Sequence, residues 1–141
     1  MRILKLAAAT AFTLVSLTAL AGPADDAKVH FQAIGGGEVD KIMTAYGDDA
    51  VFQWVGGPLD GAYKGGEAIR GVWTKFAKAN SPLTVAVDKL AESGNPSGAT
   101  VTANVTFTGK NTIKVRYVLT YRGGKVVNEV WQIDPKLGSS Y

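Results

Sequence analysis

The apolar positions of this chain change their spacing twice. Residues 6–20 form an unbroken apolar run, carrying only Thr and Ser as polar members. From about residue 25 to residue 79, apolar side chains recur at helical intervals; from residue 84 onward they alternate with polar ones. A repeat near 3.6 puts side chains on one stripe of a helix, and a repeat of two puts them on one face of a strand.

The helical stretch contains three stripes. Ala27, His30, Phe31 and Ile34 make the first, in a helix that Asp25 or Asp26 can cap and that Gly35-Gly36-Gly37 ends. Val39, Ile42, Met43 and Tyr46 make the second. Ile69, Val72, Trp73 and Phe76 make the third, in a helix over residues 66–79 closed by Asn80-Ser81-Pro82. Between the second and third, Gly47-Asp48-Asp49 turns the chain into a strand over residues 50–55, and Gly56 to Gly61 read as loop.

The alternating stretch predicts four strands, over residues 84–90, 100–108, 113–121 and 126–133. Gly94 to Gly98, Gly109-Lys110-Asn111 and Arg122-Gly123-Gly124-Lys125 are the turns between them, and the tail to Tyr141 reads as loose. Links this short join antiparallel neighbours. Helices early and strands late give an α+β domain, with helices packed on one face of a curved antiparallel sheet.

The apolar run at the start belongs to a different category. Arg2 and Lys5 precede it, Ala19-Leu20-Ala21 closes it with small residues, and Gly22-Pro23 with two aspartates follow. This is the pattern of a secretory signal peptide, residues 1–21, cleaved after Ala21. The run is short for a permanent membrane span. The expected mature domain, residues 22–141, is therefore periplasmic or secreted, with no stable membrane anchor.

Removing the leader changes the charge. The 141 residues carry 15 Lys and Arg against 12 Asp and Glu; without Arg2 and Lys5 the balance is nearly even. The remaining basic residues are scattered, so nucleic acid is not an expected partner. With no cysteine, thiolate metal sites, thiol nucleophiles and disulfides are excluded; with one histidine, so is a multi-histidine metal site. No metal and no cofactor are expected. Gly35-Gly36-Gly37 follows a helix rather than a strand, and is no phosphate loop.

The element order, with the strings GGEVDKIMTAYGDDAVFQW, YKGGEAIRGVWTKF and YRGGKVVNEVW, resembles the nuclear transport factor 2-like superfamily. Its SnoaL-like polyketide cyclases and ketosteroid isomerases are the relevant branch. The resemblance implies a cone, with a bent sheet wrapped around three N-terminal helices and an apolar pocket at the open end, and often a homodimer through the sheet. Laid on this chain, the isomerase's first-helix tyrosine falls at His30, its general-base aspartate at Trp54, and its protonated aspartic acid near Tyr117. An indole cannot accept a proton at neutral pH, so isomerisation by that route is not expected.

Four polar groups point inward by pattern: His30, Tyr117, Glu129 and Tyr46. In the last strand Val127, Glu129, Trp131 and Ile133 share a face by the period of two. A carboxylate in such company loses water, which favours its neutral form, and beside an imidazole it makes an acid–base pair. His30 and Glu129 are thus the candidate pair, with Tyr117 as a hydrogen-bond donor. The competing structural readings are a bulged strand, or a Glu129 that ties to a buried donor such as His30 or Arg116. Tyr46, Phe52, Trp54, Trp73, Val115 and Trp131 are the expected pocket lining, although tryptophans also serve simply as core. Three functions follow as expectations: binding of a small, mainly apolar molecule; a lyase, isomerase or cyclase in the same pocket; or an accessory module that dimerises through the polar outer face of the sheet.

Overall fold

The computed structural model describes residues 22–138. The expected signal peptide and the last three residues of the tail lie outside the described residues.

Helix α1 spans Pro23–Gly35. Its cap is Gly22, not an aspartate; Pro23 starts the helix with a preset φ, and Asp25 and Asp26 sit in the first turn, where negative charge meets the helix dipole. The expected stripe is buried, His30 included. The chain leaves the helix at Gly37, whose φ of +66° is one that a side chain disfavours, and Glu38 N–H closes the end on Ala33 O at 3.0 Å.

Helix α2 is a single short turn, Val39–Met43. Tyr46 does not continue it, as its spacing suggested. It opens strand β1, Tyr46–Val55, and pairs with Val126. Backbone pairing wins there: Val126 N–H donates to Ala45 O at 2.8 Å, which holds the chain extended. The expected turn at Gly47-Asp48-Asp49 is absorbed into this strand, where the pairing register slips between Tyr46 and Val51. A four-residue strand, β2 (Gly61–Lys64), begins at the last residue of the stretch that reads as loop and pairs antiparallel with β1. Helix α3, Gly66–Asn80, buries Ile69, Val72, Trp73 and Phe76 as the spacing predicts.

Strands β3 (Thr84–Asn95), β4 (Gly98–Thr108), β5 (Thr112–Arg122) and β6 (Lys125–Ile133) form the expected meander. Gly123 and Gly124 both have positive φ (+56° and +74°), the geometry of a two-residue hairpin turn. The sheet order is β2-β1-β6-β5-β4-β3, curved and unclosed. It is antiparallel except that β1 lies parallel to β6, a pairing across most of the chain that no local signal announces. Helix α1 packs on β3 and β4, and α3 packs on β1 and β2. Side chains from the inner face of the sheet and the buried faces of α1 and α3 make one core.

Strand β6 departs from strict alternation, and the departure sets which of its side chains face inward. Thr120 pairs with Asn128 but Tyr121 with Val126, so Val127 is an extra residue, a β-bulge. The bulge shifts the phase by one. Val126, fully buried, faces in before it, and Glu129 and Trp131 face in after it, while Val127 is only half-buried.

Candidate functional site

Glu129 has no solvent exposure, and its carboxylate is the centre of a closed polar cluster. Tyr117 on β5 donates to Oε2 at 2.5 Å. His30 on α1 bonds the same oxygen through Nε2 at 2.8 Å. Tyr46, at the start of β1, donates its hydroxyl to Oε1. Trp73 on α3 donates its indole N–H to the Tyr46 hydroxyl at 2.7 Å. Three elements therefore meet on one carboxylate, and a fourth, α3, reaches it through the Tyr46 hydroxyl. A buried acid becomes tolerable when several donors satisfy its lone pairs, and this one has three.

The surroundings are aromatic. The His30 ring sits edge-on to Tyr46 at 5.5 Å and to Trp73 at 6.4 Å between centroids. Burial holds the Tyr46 and Tyr117 phenols well above their ordinary pKa, and the negative charge of Glu129 pushes the same way. Tyr121 is raised for the same two reasons, with Asp26 adding a smaller push. Each phenol is thus kept as an O–H donor.

A cavity of about 670 Å³ lies at the other end of the same strands. Trp54 and Trp131 form its floor, Phe76 and Asn80 of α3 one wall, and Leu59 and Ile133 another. The two indoles stack at 4.6 Å and 29°. Both indole N–H groups are buried without a partner among the described residues.

The expected site residues thus fall into three places. His30, Tyr117, Glu129 and Tyr46 come together as the polar cluster. Trp54 and Trp131 line the large cavity. Phe52, Trp73 and Val115 do not line it; they are core side chains behind it, with Phe52 stacked on Trp73 at 5.2 Å. The pocket expected to hold all of these is divided by an aromatic layer, in which Trp131 meets Tyr117 edge-on at 5.7 Å. Sequence reasoning did not find Pro58, Leu59 and Pro135, which reach the cavity from loops. Their only signal is that apolar residues sit beside turn glycines and an Asp-Pro step. Among the described residues no group of three or more His, Asp or Glu side chains could hold a metal, and no helix is long and apolar enough to cross a membrane.

The fold recurs widely. An NTF2-like protein of unknown function from Pseudomonas putida matches with a TM-score of 0.66 at 19% identity, covering 82% of this chain and 88% of its own. A protein of unknown function with a cystatin-like fold from Nostoc punctiforme matches at 0.63 and 15%, covering 81% and 90%. A de novo designed protein with a curved β-sheet matches at 0.58 and 18%, covering 80% and 85%. A designed chain with this architecture shows that the likeness carries the fold alone. No curated protein matches the chain in sequence. The SnoaL-like domain model matches residues 27–129, from the first turns of α1 to the carboxylate at the centre of the cluster. With most of its length matched and the curved-sheet fold in place, this chain belongs to the SnoaL-like domain family of the nuclear transport factor 2-like superfamily.

Proposed function

We propose that this domain binds a small, mainly apolar molecule in the 670 Å³ cavity. One observation carries the reading: an aromatic floor of two stacked tryptophans, each with a buried N–H that no group among the described residues accepts. Ligand sites are generally concave and apolar with few polar groups, and an occupant with one acceptor oxygen suits this one. The leader pattern supports export of the domain to the periplasm or medium. The half-buried outer sheet face, where Arg116 bonds Asn104 at 2.9 Å, suits a modest homodimer contact. Light scattering over a concentration series tests the dimer, and a strict monomer throughout removes it.

The test of binding uses 2-naphthol, which has an apolar body and one hydroxyl. Saturable quenching of tryptophan emission, together with a raised melting temperature, is the expected result. Failure of 2-naphthol, indole and naphthalene alike to bind would sink the proposal. A second reading, a lyase, isomerase or cyclase, would use Glu129 with His30 and Tyr117. The bond between His30 and Glu129 favours it. Against it, both carboxylate oxygens are occupied, and none of the three residues lines the large cavity.

A further inference from the structure

A second, smaller cavity of about 220 Å³ lies at the opposite end of β5 and β6 from the tryptophan floor. His30 from α1, Ala45 after α2, and Tyr121 and Gly124 from the β5–β6 hairpin line it, with Asp26 and Lys41 also on its wall. Two of the residues that line it each carry a buried polar atom with no partner among the described residues: His30 Nδ1 and the Tyr121 hydroxyl. Both residues are only 3% exposed, so neither atom is satisfied by bulk water. Buried polar atoms are paired in the great majority of cases, and two orphans on one cavity wall point to a missing third party.

The polar cluster fixes what each atom offers. The Glu129 carboxylate accepts from Tyr46 and Tyr117 and has no hydrogen to give, so the His30 Nε2 carries its hydrogen toward Glu129. In the neutral ring Nδ1 is then left as an acceptor. The Tyr121 phenol is kept protonated by burial and by the nearby negative charges of Glu129 and Asp26, so it donates. One acid and one base on the wall, Asp26 and Lys41, favour neither an anion nor a cation. A volume of 220 Å³ holds about seven water-sized groups.

We propose that this cavity is a second ligand site, for a small uncharged molecule carrying an N–H or O–H donor beside a carbonyl oxygen, in the manner of a hydroxyamide. The donor meets His30 Nδ1, and the carbonyl accepts from the Tyr121 hydroxyl. Glu129 acts through the imidazole as a positioning residue: it fixes the tautomer that leaves Nδ1 open.

Glycolamide is the probe, and the 15N-labelled full chain is the sample. His30 is the single histidine, so its ring nitrogens give one set of signals. Glycolamide should move the Nδ1 resonance saturably, and N,N-dimethylacetamide, which has no donor, should not. Tyr121→Phe should weaken glycolamide at least about tenfold while 2-naphthol still quenches tryptophan emission, which shows that the variant is folded. Ala45→Leu, which fills the cavity from another wall, should abolish the response and covers the case in which Tyr121→Phe does not fold. A cavity holding water only would give no saturable shift, and that overturns the proposal. An equal response in Tyr121→Phe, or displacement of glycolamide by 2-naphthol, overturns it as well. Because 2-naphthol is read separately, failure here leaves the large-cavity reading standing.

Discussion

Tyr117 and Glu129 lie on adjacent strands, two positions out of register, and the Tyr117 hydroxyl donates to Glu129 Oε2 across that diagonal at 2.5 Å. Tyr117 pairs directly with Trp131 and Glu129 with Leu119, so the contact is between diagonal neighbours of one face. Tyr117→Phe keeps the ring, which packs on Phe31 at 4.6 Å, and removes only the donor. The expected loss is about 1–3 kcal/mol in denaturant unfolding, the cost of leaving a buried acceptor one bond short. A variant as stable as the parent would show that the hydroxyl contributes nothing net.

Glu129 itself is the more severe test. Glu129→Leu has a similar volume but strips His30 Nε2, Tyr46 and Tyr117 of their common acceptor. Removing one partner of a buried polar cluster typically costs about 3–5 kcal/mol. Glu129→Gln retains a carbonyl oxygen but points an NH₂ at groups that themselves donate. It should fall between the parent and Glu129→Leu in unfolding free energy. In Glu129→Gln the single imidazole should also lose the fixed tautomer, read from its 15N shifts. An unchanged tautomer would detach His30 from the carboxylate.

The alkaline limb of stability follows from the three raised phenols. Tyr46, Tyr117 and Tyr121 all have folded pKa values above the ordinary 10.0, and burial is the main cause in each. The neutral phenol is therefore the form that the fold prefers. Its contribution is complete below a pH of about 10, where the unfolded chain also keeps its protons, and is lost as pH rises from there through the folded values. Phenolate absorbance at a pH of about 11 should be missing for at least three of the five tyrosines in the folded protein, and complete in denaturant. A full phenolate signal in a chain that remains folded would contradict this.

Gly37 tests the end of α1. Its φ is +66°, and a Cβ there would lie 2.7 Å from Ser81 Cβ and closer still to Ser81 Oγ. Gly37→Ala therefore meets both backbone strain and a close contact, and should cost at least about 1 kcal/mol. Gly124→Ala, at a φ of +74° but with open space around it, carries the strain alone and should cost less. Equal losses at the two sites would show that the contact with Ser81 relaxes freely.

The parts of the fold that were legible in sequence are those with a clean period. The stripe of α1 placed His30 inside, the face of α3 placed Trp73 inside, and the alternation of β5 placed Tyr117 inside. What the sequence did not show depends on partners far along the chain. Tyr46 has helical spacing from Ile42, yet it belongs to a strand because Val126 pairs with it. Glu129 faces in as its period with Trp131 required, but Val127 does not join them fully, because a bulge inserts one residue before Asn128. Strand β2 has four residues and begins at a glycine with positive φ, too short a segment to display a period. The split of the expected pocket into a polar cluster and a separate cavity is a matter of where Trp54, Trp73 and Trp131 stack. Nothing local encodes that.

The division between cluster and cavity can be tested by two variants with opposite outcomes. Ile113 is half-buried on the cavity wall, beside empty space rather than in packed core. Ile113→Trp can therefore grow into the cavity without the usual cost of overpacking. It should weaken 2-naphthol at least about tenfold and leave the melting temperature unchanged or raised. Trp73 touches the cavity floor only from behind, and its N–H bonds Tyr46 at 2.7 Å. Trp73→Phe leaves a void and breaks that bond, so its stability should fall by about 1–3 kcal/mol while affinity for 2-naphthol stays within about threefold. If Trp73→Phe instead loses the ligand and Ile113→Trp does not, the occupant lies on the other side of the aromatic layer, among His30, Tyr117 and Glu129.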